Sequence, residues 1–320
     1  MSDPNYSRRP YRPSLVWPIL LIGVGVYFLL INMNLLKQEA WIALVRLWPV
    51  ALILIGVDIL FGHRSLIGSL FSSLVALAVI GGIIWLLMVG PEKVPGFAWL
   101  TAVPELQSEK IQTPLGEVKT AEVNINWGTG AQKLNALPAD SQNLLEGDIK
   151  YYDNLVFTVN NTNKTFSTIN LDTRFDSNNF LRLEWIDTAW AISLNPAVTY
   201  DLRMDTGSGQ NNFDLSQLKL SNLALDAGSG STRLDLPGGN YKVALDSGSG
   251  SLTISLPEDL GARIIYGHGS GHLGLPAVFK LESGEVNDDG VWKTANFDSA
   301  VNQIIFMIDQ GSGSINFTLR

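Results

Sequence analysis

Cysteine is absent from this chain of 320 residues. The absence excludes disulfide bonds, thiolate metal sites, cysteine nucleophiles and an N-terminal cysteine that could carry a lipid. No small-residue cleavage site follows the first apolar run, which argues against a cleaved signal peptide. The sequence also lacks any arrangement that resembles a serine triad. These absences remove several common routes to catalysis and to covalent attachment.

Basic residues are scarce in the second part of the chain. Residues 1–103 carry a net charge of +3, whereas residues 104–320 carry a net charge of −11. An acidic, β-rich region would repel the phosphates of a nucleic acid, so we predict no nucleic-acid partner. The positive charge of the first region lies beside apolar runs, where basic residues set membrane topology.

Three apolar runs are long enough to cross a bilayer, which takes roughly 20 helical residues each. They are Leu15–Leu36, Ala43–Phe61 and Leu66–Val89. Trp17-Pro18 and Trp48-Pro49 stand near the start of the first two runs. Tryptophan favours the headgroup interface, and proline in the first helical turn loses no hydrogen bond. The sequence therefore predicts three transmembrane helices and a protein held in the lipid bilayer.

The composition divides the chain into four parts. We predict a basic tail at residues 1–13, a transmembrane helical region at 14–90, a proline-containing linker at 91–115, and a repetitive all-β domain at 116–320. Basic residues precede the first run and follow the second, which favours a cytoplasmic N-terminus. These residues are Arg8, Arg9, Arg12, His63 and Arg64. An odd number of spans then places the β-domain on the extracytoplasmic side of the membrane.

Asp58 is the ionisable residue that stands out within the second apolar run. A charge inside a membrane is costly and is often functional. Asp58 also lies about one turn from the end of this run, near His63 and Arg64, where it could pair or reach the interface. We interpret it as an interfacial residue of an anchor, since three short-looped spans with one acidic side chain make a poor transporter.

A five-residue phrase, Asp-x-Gly-Ser-Gly, recurs in the β-domain. It occurs at Asp205–Gly209, Asp226–Gly230, Asp246–Gly250 and Asp309–Gly313, with degenerate copies at Asn126–Gly130 and Gly267–Gly271. The copies follow a period of about 20 residues, with Gly290 marking one skipped step. A fixed period of this kind indicates one structural unit stacked on itself.

Alternating apolar and polar residues surround each phrase, which is typical of half-buried strands. Each repeat therefore reads as a strand, a Gly-Ser-Gly corner and a second strand such as Ser231–Leu236. We expect a curved, single-layer or solenoid-like β-domain that is closed by Gln303–Asp309 and Ser314–Leu319. The aspartates of the phrases should lie in a row and not face one another.

Several motifs suggest chemistry that the repeat makes implausible. Asp205–Ser208 and Asp246–Ser249 match the short signature of aspartic proteases, whose two carboxylates must share a proton. The repeat explains both as the same corner. Strands follow the glycines, so a phosphate loop, which needs a helix N-terminus, is not supported. Calcium-binding β-rolls use a shorter repeat, although an occasional calcium ion on the aspartate row stays open.

His268 and His272 are four residues apart, a spacing that could suggest a metal site. In a strand or turn this spacing does not fix two side chains on one ligand face as a helix would, and no acidic third ligand is evident. We therefore predict no catalytic, metal-binding or cofactor-binding residues, and a chain that is not an enzyme.

The same residues resemble the LiaF-like family of bacterial membrane proteins. The paired Trp-Pro runs look like its transmembrane region. The outer part is similar to its toast-rack β-domain at Asn126–Gly130, Leu144–Gly147, Asp205–Gly209, Leu223–Gly230 and Gly311–Ile315. The resemblance implies a membrane-anchored regulator of envelope-stress signalling, and some members of the family are thought to restrain a partner sensor kinase. Members often have four spans, and this sequence shows three.

Two interpretations from different classes remain. In the first, the chain is an accessory protein that contacts a sensor histidine kinase or another membrane protein through its helices. In the second, the stacked strands form a surface scaffold or adhesin whose face binds a protein or a glycan. The sequence does not indicate the ligand, the partner or the oligomeric state.

Overall fold

The structure is a computed structural model that describes residues 16–33, 35–36, 40–62, 66–100, 106–152, 154–174, 188–286 and 288–320. The chain divides into two compact units, Met1–Val103 and Pro104–Arg320. The predicted basic tail and its arginines lie outside the described residues, as do His63 and Arg64.

The first unit is helical. It contains α1 (Val16–Asn32), α2 (Ala40–Arg46), α3 (Trp48–Val57) and α4 (Leu66–Val89), with a π-helix (Asp58–Gly62) after α3 and 3₁₀ turns at Pro91–Lys93 and Ala98–Leu100. Among the described residues, one helix is long and apolar enough to cross a membrane, Ile67–Val89, with 23 residues and a mean hydropathy of 2.4. Pro18–Asn32 and Trp48–Phe61 are apolar but shorter.

The second predicted span, Ala43–Phe61, is thus divided among α2, α3 and the π-helix. The break falls at Leu47, directly before α3. Pro49 stands in the first turn of α3, and proline has no N–H to bond back to the preceding turn. The residue pair that marks a helix entrance in the sequence therefore starts a new helix inside the predicted span.

Glycine allows one close approach between α1 and α4. A Cβ atom added to Gly23 would lie 2.9 Å from Cγ2 of Ile80. At Gly25, Gly81 and Gly82 no atom lies within 4 Å of such a Cβ. Gly23 therefore lies at a contact between two helices of this unit, where small residues are typical.

The second unit is built from β-strands. The described residues form β1 (Gln107–Pro114), β2 (Thr120–Asn126), β3 (Gly130–Ala136), β4 (Asn143–Tyr151), β5 (Asn154–Asn163), β6 (Phe166–Arg174), β7 (Ala189–Leu194), β8 (Thr199–Thr206), β9 (Gly209–Asp214), β10 (Lys219–Ala227), β11 (Ser231–Asp235), β12 (Tyr241–Ser247), β13 (Ser251–Leu256), β14 (Gly261–Gly267), β15 (His272–Gly274), β16 (Phe279–Gly284), β17 (Gly290–Thr294), β18 (Gln303–Gln310) and β19 (Ser314–Leu319).

These strands form two sheets. The nine-stranded sheet has the order β1-β4-β7-β3-β9-β11-β13-β19-β15, and the ten-stranded sheet has the order β16-β17-β14-β18-β12-β10-β8-β2-β6-β5. Each repeat contributes one strand to each sheet, and neighbouring repeats pair in parallel, as β10 does with β12 and β11 with β13. The unit is therefore a solenoid of two facing layers, which agrees with the solenoid-like alternative of the prediction and excludes the single layer.

The hydrophobic core lies between the two sheets. Alternate leucine, isoleucine, valine and phenylalanine side chains of both sheets belong to one buried cluster. Phe306 of β18 and Phe317 of β19 meet across the layers with their ring centroids 5.2 Å apart, edge to face. Burial of each such side chain stabilises the fold by roughly 1.5–3 kcal/mol. The period-two pattern in the sequence is the pattern of this core.

We predicted that Gln303–Asp309 and Ser314–Leu319 close the solenoid at its end, and this prediction is wrong. β18 pairs with β12 on one side and with β14 on the other, and β19 pairs with β13 and β15. The coil is therefore inserted inside the stack. Gly290, predicted to mark a skipped corner, begins β17, which runs antiparallel to β14.

β1 lies within the predicted linker. It forms the edge of the nine-stranded sheet and pairs with β4. Pro114 occupies its last position, and an edge strand tolerates proline because one side of its backbone needs no partner. Of the prolines in the predicted linker, Pro114 therefore ends a strand of the second unit, whereas Pro91 begins a 3₁₀ turn of the first.

The Gly-Ser-Gly corners stack directly on one another. The N–H of Gly311 donates to the carbonyl oxygen of Ser247, and that of Gly313 donates to Gly248 at 3.1 Å. A Cβ atom added to Gly250 would overlap the backbone of Gly230 in the neighbouring corner. Glycine recurs here because the backbones of successive coils approach too closely for a side chain.

Candidate functional site

The repeated phrase places its aspartates on the outer face of the ten-stranded sheet. In β12, Leu245 points into the core, Asp246 points outward and is exposed, and Ser247 is buried again. The chain then turns through Gly248 to enter the other sheet. Each copy follows this alternation, because successive strand residues point to opposite faces. The carboxylates therefore stand at the last outward position before each corner.

Parallel register aligns these carboxylates across the sheet. Asp226 lies opposite Asp205 and Asp246, and Asp246 lies opposite Asp309. Asn126 continues the row beside Asp205. The four carboxylates, which we call the aspartate ladder, span three strand spacings of about 4.8 Å each. The sequence prediction of a row is thus matched by the register of the strands.

A second row, two residues earlier in each strand, runs beside the ladder. Ala224 and Ala244 lie opposite one another, Ala244 lies opposite Met307, and Met307 lies opposite Ile265. The side chains of Met307 and Ile265 are 43% and 42% exposed. Large apolar side chains that stay exposed next to one another often mark an interaction site.

The two rows line one groove of about 1300 Å³. Its floor is the second row, and the aspartate ladder forms one side. At one end it is lined by Asp289 and Gly290 near the hairpin of β16 and β17, and at the other by Asn170 of β6. Pockets for small molecules are typically about 300–1,000 Å³. The groove exceeds that range and runs across the sheet.

Partial burial and crowding of negative charge raise the pKa of two aspartates of the ladder. Partial burial, followed by the charge of Asp205, raises the pKa of Asp226. Partial burial and the charges of Asp226 and Asp309 raise the pKa of Asp246. Like charges placed opposite one another destabilise a sheet. Among the described residues, no lysine or arginine forms an ion pair with the ladder.

Arg203 belongs to the second row itself, whereas Arg263 and Lys242 stand on the far side of this row from the ladder. Arg203 bonds Glu122 at 3.0 Å and approaches Asp201 at 3.8 Å. Arg263 bonds Glu282 at 2.9 Å. Lys242, two residues before Ala244, is exposed. The groove is therefore acidic along one side and mixed in charge along the other.

The geometry separates the aspartates that resembled a protease signature. Asp205 and Asp246 belong to β8 and β12, with β10 and its Asp226 between them. They point the same way from parallel strands, so they cannot share a proton as the two carboxylates of an aspartic protease do.

The two histidines fall on different sheets. His268 follows β14 at the groove, where its backbone N–H donates to Oδ1 of Asp289 at 2.7 Å, and His272 begins β15 in the other sheet. Within the described ranges, no group of three or more histidine, aspartate or glutamate side chains could hold a metal ion.

Asp58 forms a polar contact inside the helical unit. It is 6% exposed and begins the π-helix, and the hydroxyl of Ser72 in α4 donates to its Oδ1 at 3.1 Å. Ser72 is itself 2% exposed. The sequence predicts Asp58 at the interface near His63 and Arg64, which lie outside the described residues. The structure adds Ser72, which the sequence did not single out.

The floor of the groove was also missed from sequence. Its signal is simple in retrospect, because the floor residues stand two positions before each aspartate or its substitute. The neighbours along this row are Arg203, Ala224, Ala244, Met307 and Ile265. The position of Met307 and Ile265 could not be derived, since it depends on the inserted coil.

Two family models match the chain. Residues 103–255 match the N-terminal domain of toast-rack proteins, and residues 15–60 match the LiaI-LiaF-like transmembrane region. Both agree with the resemblance predicted from the sequence. No curated protein matches the chain significantly.

Two solved structures were matched to this chain. A candidate cell adhesion protein of Clostridium sporogenes ATCC 15579 aligns with a TM-score of 0.57 and 20% identity, over 68% of this chain and 100% of its own. A candidate adhesin of Bacteroides fragilis NCTC 9343 covers 68% of this chain and 98% of its own, with 12% identity and a TM-score of 0.27. The first comparison shows a shared fold.

Proposed function

Because this chain is a LiaF-like membrane protein with a toast-rack domain, we propose that it is a non-enzymatic regulator of cell-envelope stress signalling. It acts through a partner membrane protein, of which a sensor histidine kinase is the first candidate. The observation that carries the proposal is the groove. Its lining repeats one arrangement from strand to strand, as binding surfaces of repeat proteins do.

The proposal includes three membrane spans. α4 supplies one, and α1 with 17 residues and α3 with its following π-helix supply the other two. A helix of 17 residues is about 25 Å long, slightly less than a hydrocarbon core of about 30 Å. Local thinning of the bilayer accommodates such a mismatch. With the N-terminus in the cytoplasm, the β-unit lies outside the cell membrane.

Protease accessibility in intact cells tests this topology. An epitope after residue 320 should be lost when protease is added outside the cells, whereas an epitope before residue 1 should be retained. Protection of both epitopes until the cells are permeabilised would contradict an odd number of spans.

Signalling is tested with a variant that fills the groove. Ala244→Trp adds bulk to the floor without changing charge, and Asn212→Trp places the same side chain on the exposed outer face of the other sheet. We expect deletion of the chain and Ala244→Trp to alter envelope-stress reporter expression alike, while Asn212→Trp behaves as the unmodified chain. Unchanged reporter expression after deletion would contradict the regulatory function.

A second candidate function is a surface scaffold or adhesin. It is favoured by the fold shared with the candidate cell adhesion protein of C. sporogenes. Here the groove would hold an envelope polymer or another cell's protein, and the helices would serve as an anchor alone. Binding of the purified chain to isolated cell-wall glycan, with normal stress signalling in the deletion strain, would favour this function.

A further inference from the structure

We propose that the groove binds a basic amphipathic helix of the partner protein, with its apolar stripe on the floor and its lysine or arginine stripe along the aspartate ladder. This inference rests on the proposed regulatory function and specifies the chemistry of its partner.

The apolar side chains of the floor favour a partner that presents an apolar surface. Ala224 and Ala244 are small and form its lowest part, and the exposed side chains of Met307 and Ile265 continue it towards β17. Methionine adapts its shape to different partners, which is why it is common at peptide-binding surfaces. An apolar stripe laid on this floor would remove these side chains from water.

The face that is exposed decides between a helix and a strand. The groove lies on the face of a sheet, where side chains project, and its central strands already have partners on both sides. An added strand gains affinity from backbone hydrogen bonds at a sheet edge, and these are not offered here. A helix satisfies its own backbone and binds through side chains.

The spacing of the ladder also matches a helix. Its four carboxylates span about 14 Å across three strand spacings. Basic residues at positions i, i+3, i+7 and i+10 of a helix span about 15 Å along one face. Four alternate residues of an extended strand would span about 20 Å and would leave the register of the ladder.

The charges on the two sides of the groove set the rotation of the bound helix about its own axis. The ladder has no basic partner among the described residues, so an incoming cation relieves repulsion between Asp226, Asp246 and Asp309. On the other side of the floor, Lys242 is exposed and Arg263 is engaged with Glu282. A helix whose second flank is polar or acidic would meet this side without repulsion.

Binding of designed peptides to the full-length chain in detergent micelles tests the inference. The probe is a fluorescent 18-residue leucine-lysine peptide with lysines at i, i+3, i+7 and i+10. One control peptide carries glutamate in place of lysine, and a second has the same composition alternating as a strand. We expect the helical lysine peptide to bind more tightly than both, and less tightly as salt rises.

A matched pair of variants locates the binding site. The first converts the four ladder aspartates to asparagine. The second removes the same charge at exposed acids outside the groove, through Glu117→Gln, Asp140→Asn, Asp148→Asn and Glu258→Gln. We expect the ladder variant to bind about tenfold more weakly, which is about 1.4 kcal/mol shared among four exposed ion pairs. The second variant should bind normally.

The alternatives give different results. Equal binding to both variants, or a preference for the strand-forming peptide, overturns the inference. So does a calcium ion that binds the ladder and excludes the peptide, or a ladder-dependent dimer in sedimentation, because either makes another species the occupant. Loss of peptide binding with normal groove-dependent signalling would refute the helix and leave the regulatory function standing. Peptide binding with no signalling phenotype would refute the regulatory function.

Discussion

Asp246 and Asp309 lie side by side in adjacent parallel strands, although β13 to β17 separate them in the chain. Their carboxylates face the same groove and repel each other, and the charge of Asp309 contributes to the raised pKa of Asp246. The last repeat in the described chain thereby extends a ladder that the earlier repeats begin. Repulsion along this row destabilises the sheet, and the resulting negative surface attracts cations.

Neutralising the ladder should stabilise the fold. We expect the double variant Asp226→Asn and Asp246→Asn to raise the free energy of unfolding by about 0.2–1 kcal/mol for each like-charge contact relieved. The measurement is urea unfolding of the purified chain, followed by the circular dichroism of the β-sheets. The paired substitution Asp140→Asn and Asp148→Asn is the control and should change little. A loss of stability in the double variant would mean that the aspartates hold favourable contacts.

The effect of this double variant should depend on pH. Aspartate has an ordinary pKa of 3.8, and the folded chain raises the pKa of Asp226 and Asp246 above it. A raised pKa favours folding below pH 3.8, and the advantage is lost as pH rises through the raised values. The stability gained from the variant should therefore be small below pH 3.8 and larger at neutral pH. A difference that stays constant between these conditions would contradict the repulsion.

Glycine at the inner corner positions should be essential to stacking. We expect Gly250→Ala to destabilise the fold by about 1–3 kcal/mol, because its Cβ would overlap the backbone of Gly230 and overpacking carries a cost of this size. Ser229→Ala changes an exposed corner residue and should change stability by less than about 0.5 kcal/mol. Thermal unfolding of both variants compares them. Equal stability of the two would show that the corners can separate.

The contact between Asp58 and Ser72 should hold α4 against the π-helix. Ser72→Ala removes one interhelical hydrogen bond, which is expected to cost about 0.6–2 kcal/mol in a membrane protein. Ser73→Ala is the matched control, since Ser73 bonds the carbonyl of Ser69 within α4. Unfolding by sodium dodecyl sulfate measures both. Asp58→Asn keeps an acceptor oxygen and should be milder than Asp58→Leu, and the reverse order would contradict the contact.

Much of the β-unit follows from its sequence. The phrase at Asp226–Gly230 contains a strand end, an outward carboxylate and a corner, and its period predicts the neighbouring coil. The two-layer arrangement does not follow, because alternation predicts one buried face for each strand and leaves open what covers it. The order of the coils is also hidden, since β18 and β14 compete for the same edge of β12 and only packing decides between them.

The candidate site was predictable in part. The ladder follows from the repeat, because aligned repeats align their aspartates. The floor required two further facts, the position of Met307 beside Ala244 and the hairpin of β16 and β17 at one end of the groove. Neither residue type nor spacing distinguishes Ala244 from an ordinary solvent-facing alanine in a strand.

The inserted coil also constrains the order of assembly. β14 and β15 have no parallel neighbour until β18 and β19 have emerged from the ribosome and taken their place beside β12 and β13. Such pairing between distant segments slows folding, since a long loop must close before its contacts form. The solenoid therefore cannot grow coil by coil as it is synthesised. Loss of residues 303–319 would remove an internal coil, and the edges of β12 and β13 would be left open to pairing with other chains.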